Sequence, residues 1–420
     1  MQTDLQSIAV EDLRLGMYVH LDMHWLRHPF ARSHFLIQSQ QQIETIQGLG
    51  LKTVRVRPSL CVEDEAVFVE PSTVQELPHP SAEVAPEQAG AFDIPFGAPD
   101  AADRQFNEAA RQFKHAMTLV RTQPSQAMEA FHQLKDAILA VADTEDQTYL
   151  RLMQDVANDK AAGHALNVTV LAVMLAKFAQ LDEAVVQAVC LGGLMHDIGK
   201  LDIPEKVRYL TPQLSLVEVK YYQEHVPRGL LLVKKMQLHA DVQSILAQHH
   251  EHFDGTGFPH KLVAEQIGLG ARVVAIANRY DNLCNPAQRA LAMTPHETLR
   301  TMYSQEGAWF DPKLMACFVK MLGIYPPGTY VQLTDDRYAL VVSVRSSQVL
   351  KPNVLIYEPR GTKADAVVTI LEDMAHLSVR RSLRPEQLPA QVGHYFSRQH
   401  RLSYFFERRS DGIGSQEGAP

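Results

Sequence analysis

Cysteine and basic charge are both scarce in this chain. Four cysteines (Cys61, Cys190, Cys284 and Cys317) are spread over 420 residues, none in a C-x-x-C pair. That spacing argues against a thiolate zinc site or a disulfide framework, and predicts reduced thiols in a cytoplasmic protein. Lys and Arg number 40 against 48 Asp and Glu, a formal net charge of -8. No binder of polymeric nucleic acid is expected from that balance. A small nucleotide substrate stays open, because a metal centre supplies local positive charge that net charge does not report. Long apolar runs are missing too. The longest helical one, Val168 to Ala179, is interrupted by Lys177 and too short to span a bilayer. The start, MQTDLQSIAVEDLRLG, lacks the basic segment and apolar core of a signal peptide. Neither a membrane span nor export is expected.

What is present divides the chain by texture. Residues 1–70 alternate apolar and polar in short bursts (MYVHLD, HFLIQ, KTVRVRP, AVFVE), which predicts a small α/β domain with a helix near Gln40–Leu49. Residues 71–100, rich in Pro, Ala and Glu, read as a linker. Helical spacing at 101–145 predicts one or two connecting helices, and 146–322 reads as an almost entirely helical bundle. From 323 to 395, YVQLTDDRYALVVSVRSSQVLKPNVLIYE and its surroundings predict a small β module with Asp-Asp, Ser-Ser and Lys-Pro-Asn turns. Residues 396–420 are expected to be a polar tail, with RSDGIGSQEGAP disordered. The fold class is thus multidomain: a central all-α bundle, an α/β domain before it and a β module after it.

Chemistry-bearing residues collect in the helical region. His164 shares a stripe with Val168, Leu171 and Leu175. His196 and Asp197 close the segment LMHDIGK, and His225 stands in YYQEHVPRG. His249 and His250 end the stripe Val242, Ile245, Leu246. Asn278 and Asp281 occur in VVAIANRYDNL. Taken singly, each has a bland reading: His164 as a satisfied core histidine, His225 as a surface one, the HD and HH pairs as chance. The ordered conjunction points instead to a metal site. Adjacent His and Asp at a helix end project about 100° apart, so one carboxylate can bridge two ions while its neighbour binds one. Imidazole with carboxylate and no thiolate suits two divalent ions, iron or manganese. Such ions, about 3.5–4 Å apart, clamp a phosphodiester for in-line attack by hydroxide.

The motifs LMHDIGKLDIPEKV, EHVPRG, HHEHFDGTGFP, ARVVAIANRYDNL and WFDPKLMACFVKMLGIYPPGTYV resemble the HD-GYP family, a branch of the HD phosphohydrolases. Residues 8–58 also look like a domain of unknown role that commonly precedes it. The resemblance implies hydrolysis of cyclic di-GMP to the linear dinucleotide and/or GMP, in bacterial second-messenger signalling. It implies one metal held by His164, His196, Asp197 and the residue at 278, and a second by Asp197, His225, His249 and His250. Lys200 would contact a phosphate oxygen beside Asp197. Asp254, Gly255, Gly257, Phe258 and Pro259 would form the signature loop beside the substrate, a loop implicated in docking GGDEF-type cyclases.

The chain departs from that family pattern in several places. Lys160 stands where some members carry a glutamate that supports a third metal, so a trinuclear site is not expected. Phe258 replaces the signature tyrosine. Asn278 stands where an aspartate ligand is usual, and Asp281, three residues on, shares its helix face as an alternative ligand. CNPAQRAL lacks the DRPYR run: Ala287 and Ala290 take the places of its arginines, leaving Arg289 as a candidate phosphate contact. Two readings follow. One is a metal-dependent phosphodiesterase; the other is a catalytically weak or inactive adaptor that binds cyclic di-GMP or GGDEF-domain partners. Oligomeric state is not legible.

Overall fold

The alternating bursts near the start become strands and the periodic stretches become helices in the computed structural model. It describes residues 6–14, 16–21, 34–37, 43, 46–47, 51, 53–58, 101–142, 149–152, 159–209, 211, 214–344, 351–359, 368–374, 376–396 and 402–407. The expected linker at 71–100, the strand AVFVE and the terminal RSDGIGSQEGAP lie outside the described residues. The chain divides into two units, Met1–Gln88 and Ala89–Pro420.

The first unit holds a four-stranded antiparallel sheet of β1 (Gln6–Ala9), β2 (Tyr18–His20), β3 (His34–Leu36) and β4 (Thr53–Val56), in the order β1-β4-β2-β3. The alternation in TVRV puts Val54 and Val56 inside and Thr53 and Arg55 outside. Ile43 and Ile46, in helical conformation within the stretch expected to be helix, complete the core with Val10, Val19 and Ile37.

In the second unit, α1 (Ala101–Leu119) and α2 (Pro124–Ala142) lead into β5 (Tyr149–Leu152). The bundle follows: α3 (Lys160–Phe178), α4 (Glu183–Met195), α5 (Leu216–Gln223), α6 (His225–Val233), α7 (Ala240–Gln248), α8 (Leu269–Cys284), α9 (Pro295–Ser304) and α10 (Pro312–Leu322). Asp159 caps α3, its carboxylate accepting from the N–H groups of Ala161 and Ala162. Helix α3 is apolar all round because α1, α4, α8 and α10 pack on it. Among the described residues it alone has the length and composition to cross a membrane, and most of it is buried in the bundle. Helix α4 packs between α2, α3, α7 and α8, which carries its C-terminal end into the middle of the bundle.

Beyond the bundle come β6 (Tyr330–Leu333), β7 (Tyr338–Val344), β8 (Asn353–Ile356), β9 (Val368–Ile370), β10 (Val379–Leu383), the short helix α11 (Ala390–Tyr395) and β11 (Tyr404–Glu407). They form, with β5, a seven-stranded sheet whose main path is β10-β6-β7-β5-β11, with β8 on β7 and β9 on β8. Two of these strands correct the sequence expectation. β5 lies inside the stretch expected to be helical, and β11 inside the expected polar tail, where Tyr404 is fully buried. Both are runs of four residues, YLRL and YFFE. Aromatic residues fit a pleated surface, but four residues carry little periodic signal.

Candidate metal centre

Four of the five histidines of the constellation are fixed at one ring nitrogen. His196 follows the last turn of α4 and donates from Nδ1 to the Gly193 carbonyl at 2.7 Å. His225 opens α6 and donates from Nδ1 to Tyr222 O at 2.6 Å. His249 follows α7 and donates to Leu246 O at 3.0 Å. His164, on α3, donates from Nδ1 to the Asp281 carboxylate at 2.6 Å. A carbonyl only accepts, so Nδ1 carries the proton in the first three rings, and Nε2 presents a lone pair to the interior.

These lone pairs converge on Asp197. Its Oδ2 lies 3.4 Å from Nε2 of both His164 and His196, and its Oδ1 lies 3.5 Å from His225 Nε2 and 3.9 Å from His249 Nε2. The ligand atoms fall into two groups, His164–His196–Asp197 and Asp197–His225–His249–His250, each within 4.8 Å throughout. Donors bound at about 2.1 Å to one cation sit about 3–3.4 Å from one another, so these separations suit metal ligands. Asp197 Oδ1 and His250 Nε2 are buried without a hydrogen-bond partner. Nε2 of His225 faces Nε2 of His249 at 3.4 Å. Two neutral rings with protons on their Nδ1 atoms cannot hydrogen-bond there, and burial drives the His225 imidazole down to about 4 and His249 well below its usual value. Buried polar atoms without partners and facing lone pairs are satisfied by a cation held between them. The residues of both groups therefore fit a bound divalent metal, and the set holds no thiolate.

Charge at the centre follows from burial and neighbours. Burial would raise the Asp197 carboxyl, but the Lys200 ammonium beside it holds it well below the usual carboxylate range. Lys200 Nζ donates to Asp197 Oδ2 at 2.6 Å, and that carboxylate keeps the lysine charged despite burial. Burial opposes protonation of His164, yet the Asp197 and Asp281 carboxylates raise it. The Lys200 ammonium also lies over the rings of Tyr209 at 5.6 Å and Tyr222 at 5.4 Å.

Close approach of backbone builds the site. A Cβ on Gly199 would sit 1.8 Å from the His225 carbonyl oxygen, so only glycine lets the turn after Asp197 meet α6. A Cβ on Gly257 would meet His252 N at 2.3 Å. In that loop Asp254 accepts from the backbone N–H and hydroxyl of Thr256, and Gly255 turns with φ 80°. Phe258 stacks on His250, centroids 4.5 Å apart, and its bond to Pro259 is cis. Glu251, buried behind the loop, accepts from His260 N at 2.6 Å and Leu262 N at 3.0 Å.

The structure thus brings together His164, His196, Asp197, Lys200, His225, His249, His250 and Phe258. Asn278 is buried on α8, where its side-chain oxygen accepts from Asn282 at 2.7 Å. Arg289 is exposed in the turn Arg289–Leu291. Asp281, the alternative ligand, contacts the opposite ring nitrogen of His164 from the one that faces Asp197, and its second oxygen accepts from Asn167 at 2.6 Å. It supports a histidine rather than facing the cluster. Sequence reasoning missed Asn167, Asn285 and Tyr222. The spacing of Asn167, three residues after His164 on the same helix face, was a usable signal.

A family model described as an HD domain matches residues 151–314, and one described as a domain of unknown function matches residues 5–131. The chain is 30% identical over 365 residues to "Cyclic di-GMP phosphodiesterase PA4108" of Pseudomonas aeruginosa, covering 84% of this chain and 85% of that protein. It is 32% identical over 142 residues to "Cyclic di-GMP phosphodiesterase response regulator RpfG" of Xanthomonas campestris, covering 33% of this chain and 38% of that one. A third relative, "3'3'-cGAMP-specific phosphodiesterase 2" of Vibrio cholerae, is 31% identical over 123 residues, covering 29% of this chain and 24% of that one.

Proposed function

The chain belongs to the HD-GYP family of HD phosphohydrolases, and from that premise we propose that it is a metal-dependent phosphodiesterase that hydrolyses cyclic di-GMP to the linear dinucleotide and/or GMP. The observation that carries this reading is the division of Asp197, whose two oxygens face different groups of histidine Nε2 atoms. His164, His196 and Asp197, with Asn278, would hold one ion; Asp197, His225, His249 and His250 would hold the other. Bound there, two divalent ions, iron or manganese, supply a water of lowered pKa and neutralise phosphate charge. The chain's own groups do the rest. The carbonyls of Gly193, Tyr222 and Leu246 keep the Nδ1 protons, so Nε2 stays aimed at the interior. Lys200 keeps its proton and offers fixed charge to a phosphate oxygen. Phe258, flat against His250, gives the substrate side of the loop an apolar face.

Relatives named for cyclic di-GMP and for 3'3'-cGAMP both resemble this chain, so substrate choice is the sharp question. The test is anaerobic turnover of both cyclic dinucleotides by the manganese- or iron-loaded protein. Faster loss of cyclic di-GMP supports the proposal; faster loss of 3'3'-cGAMP overturns the substrate assignment. A second reading, a weak or inactive adaptor that binds cyclic di-GMP or GGDEF-domain proteins, is favoured by Asn278, a neutral residue hydrogen-bonded to Asn282, and by the exposed Arg289 in place of a basic run. Cyclic di-GMP binding without turnover of either dinucleotide would select it.

A further inference from the structure

Behind His164, a buried hydrogen-bond network reaches the last described strand of the chain. Asp281 Oδ2 accepts from His164 Nδ1 at 2.6 Å, and its Oδ1 accepts from Asn167 Nδ2 at 2.6 Å and from Asn285 Nδ2 at 2.7 Å. Both amides continue to the segment that opens β11. Asn167 Nδ2 and Asn285 Nδ2 each donate to Leu402 O at 2.8 Å. Asn285 Oδ1 accepts from Leu402 N at 2.8 Å, and Asn167 Oδ1 from Tyr404 N at 3.0 Å. Each amide nitrogen has two hydrogens, one for Asp281 and one for Leu402, and each amide oxygen has a peptide N–H. A flipped amide would set oxygen against a carboxylate and a carbonyl, so the orientation is unique.

Electrostatics gives the network its consequence. Asp281, Asn167 and Tyr404 are fully buried. A buried carboxylate must be met by donors, and here the donors are one imidazole and two amides. The amides are themselves held by the backbone of Leu402 and Tyr404, which lie outside the residues matched as an HD domain. If that strand leaves, both amides lose peptide partners and can turn from Asp281, and the acceptor that aims His164 is no longer fixed.

We propose that Asn167 and Asn285 are positioning residues that tie Leu402 and Tyr404 to Asp281, so that docking of the C-terminal strand and metal binding at His164 favour one another. The inference rests on the metal-centre reading above. Coupling of this kind is reciprocal: the strand raises metal affinity and the metal holds the strand.

The test uses the full chain and manganese alone as the probe. Asn285, at the partly exposed end of α8, tolerates truncation more readily than Asn167. In Asn285→Ala, manganese affinity at one of the two sites should fall about tenfold, as for loss of an outer partner of a ligating histidine. Asn167→Ala should do the same, while Ser403→Ala, on the same segment but outside the network, should leave affinity unchanged. Manganese should slow hydrogen exchange of the Tyr404 amide in the wild type and not in Asn285→Ala, a response that a merely structural role would not give. Folded variants with affinity within about twofold of wild type, or a Tyr404 amide indifferent to manganese in the wild type, overturn this inference alone. A wild-type chain that binds no manganese overturns it together with the metal-centre reading.

Discussion

On one side of Asp197 the ring of His164 leans on a carboxylate; on the other, those of His225 and His249 lean on main-chain carbonyls. The difference is one of robustness and of charge. A carbonyl inside a helix end is held by the fold itself, and only displaced backbone removes it. A carboxylate is a side chain with its own hydrogen-bond needs, open to loss by a single substitution, and it makes its histidine a more basic ligand. The same contrast sets protonation: two carboxylates raise His164, whereas burial lowers His225, His249 and His250. By the assignment proposed here, the half supported by Asp281 is also the half that carries neutral Asn278.

The largest effect is expected where the halves meet. Asp197→Ala should abolish turnover and metal binding at both sites, since neither group of histidines keeps its carboxylate. It also strands the buried Lys200 ammonium, so the melting temperature should drop, by a loss on the order of 3 kcal/mol. Retention of one tightly bound ion would mean that the carboxylate does not bridge.

Next come substitutions aimed at one half each. Gly199→Ala forces a Cβ into the His225 carbonyl and should displace α6, with a stability loss of roughly 1–3 kcal/mol and loss of the ion on the His225 side. Asp281→Asn should weaken the ion on the His164 side by about 10–100-fold and spare the other. Metal titrations should resolve two sites; if either variant lowers both equally, the halves are not independent.

The family motif of the metal centre was legible because its histidines and aspartate fall in an order that is hard to obtain by accident. The helical stripes of His164 and His249 predict inward faces, and both side chains are buried. What was not legible lies in the partner that sits far away in sequence. Asp281 meets Asn167 across 114 positions, and Asn285 meets Leu402 across 117. No local period reports such a pair, so Asp281 stands in the sequence as an alternative ligand to Asn278. The strands β5 and β11 were hidden for a related reason: each is explained by pairing with the other, not by its own short run.

A subtler test concerns Asn278. Asn278→Asp adds a negative charge that, on the proposed assignment, falls at the His164 half. Affinity for that ion should rise, about tenfold, and turnover with it. Titration showing no gain would remove position 278 from the ligand set of that ion.

The smallest effect is in the pH dependence of the metal-free chain. His225 falls from 6.5 to about 4 on folding, so the unfolded chain binds more protons between those values, and stability should decline as pH falls through that window. His164, raised above 6.5, contributes the opposite way: its stabilisation is present below 6.5 and lost as pH rises through its folded value. Melting curves of His225→Gln and His164→Gln variants should therefore shift the pH profile in opposite directions. Parallel shifts would show that the two halves share one electrostatic environment.

The most direct test of the central claim is metal stoichiometry. Protein purified without oxygen and loaded with iron or manganese should hold about two ions per chain, falling to one in Asp281→Asn and to none in Asp197→Ala. A wild-type stoichiometry near zero, or one unchanged by loss of Asp197, would contradict the account.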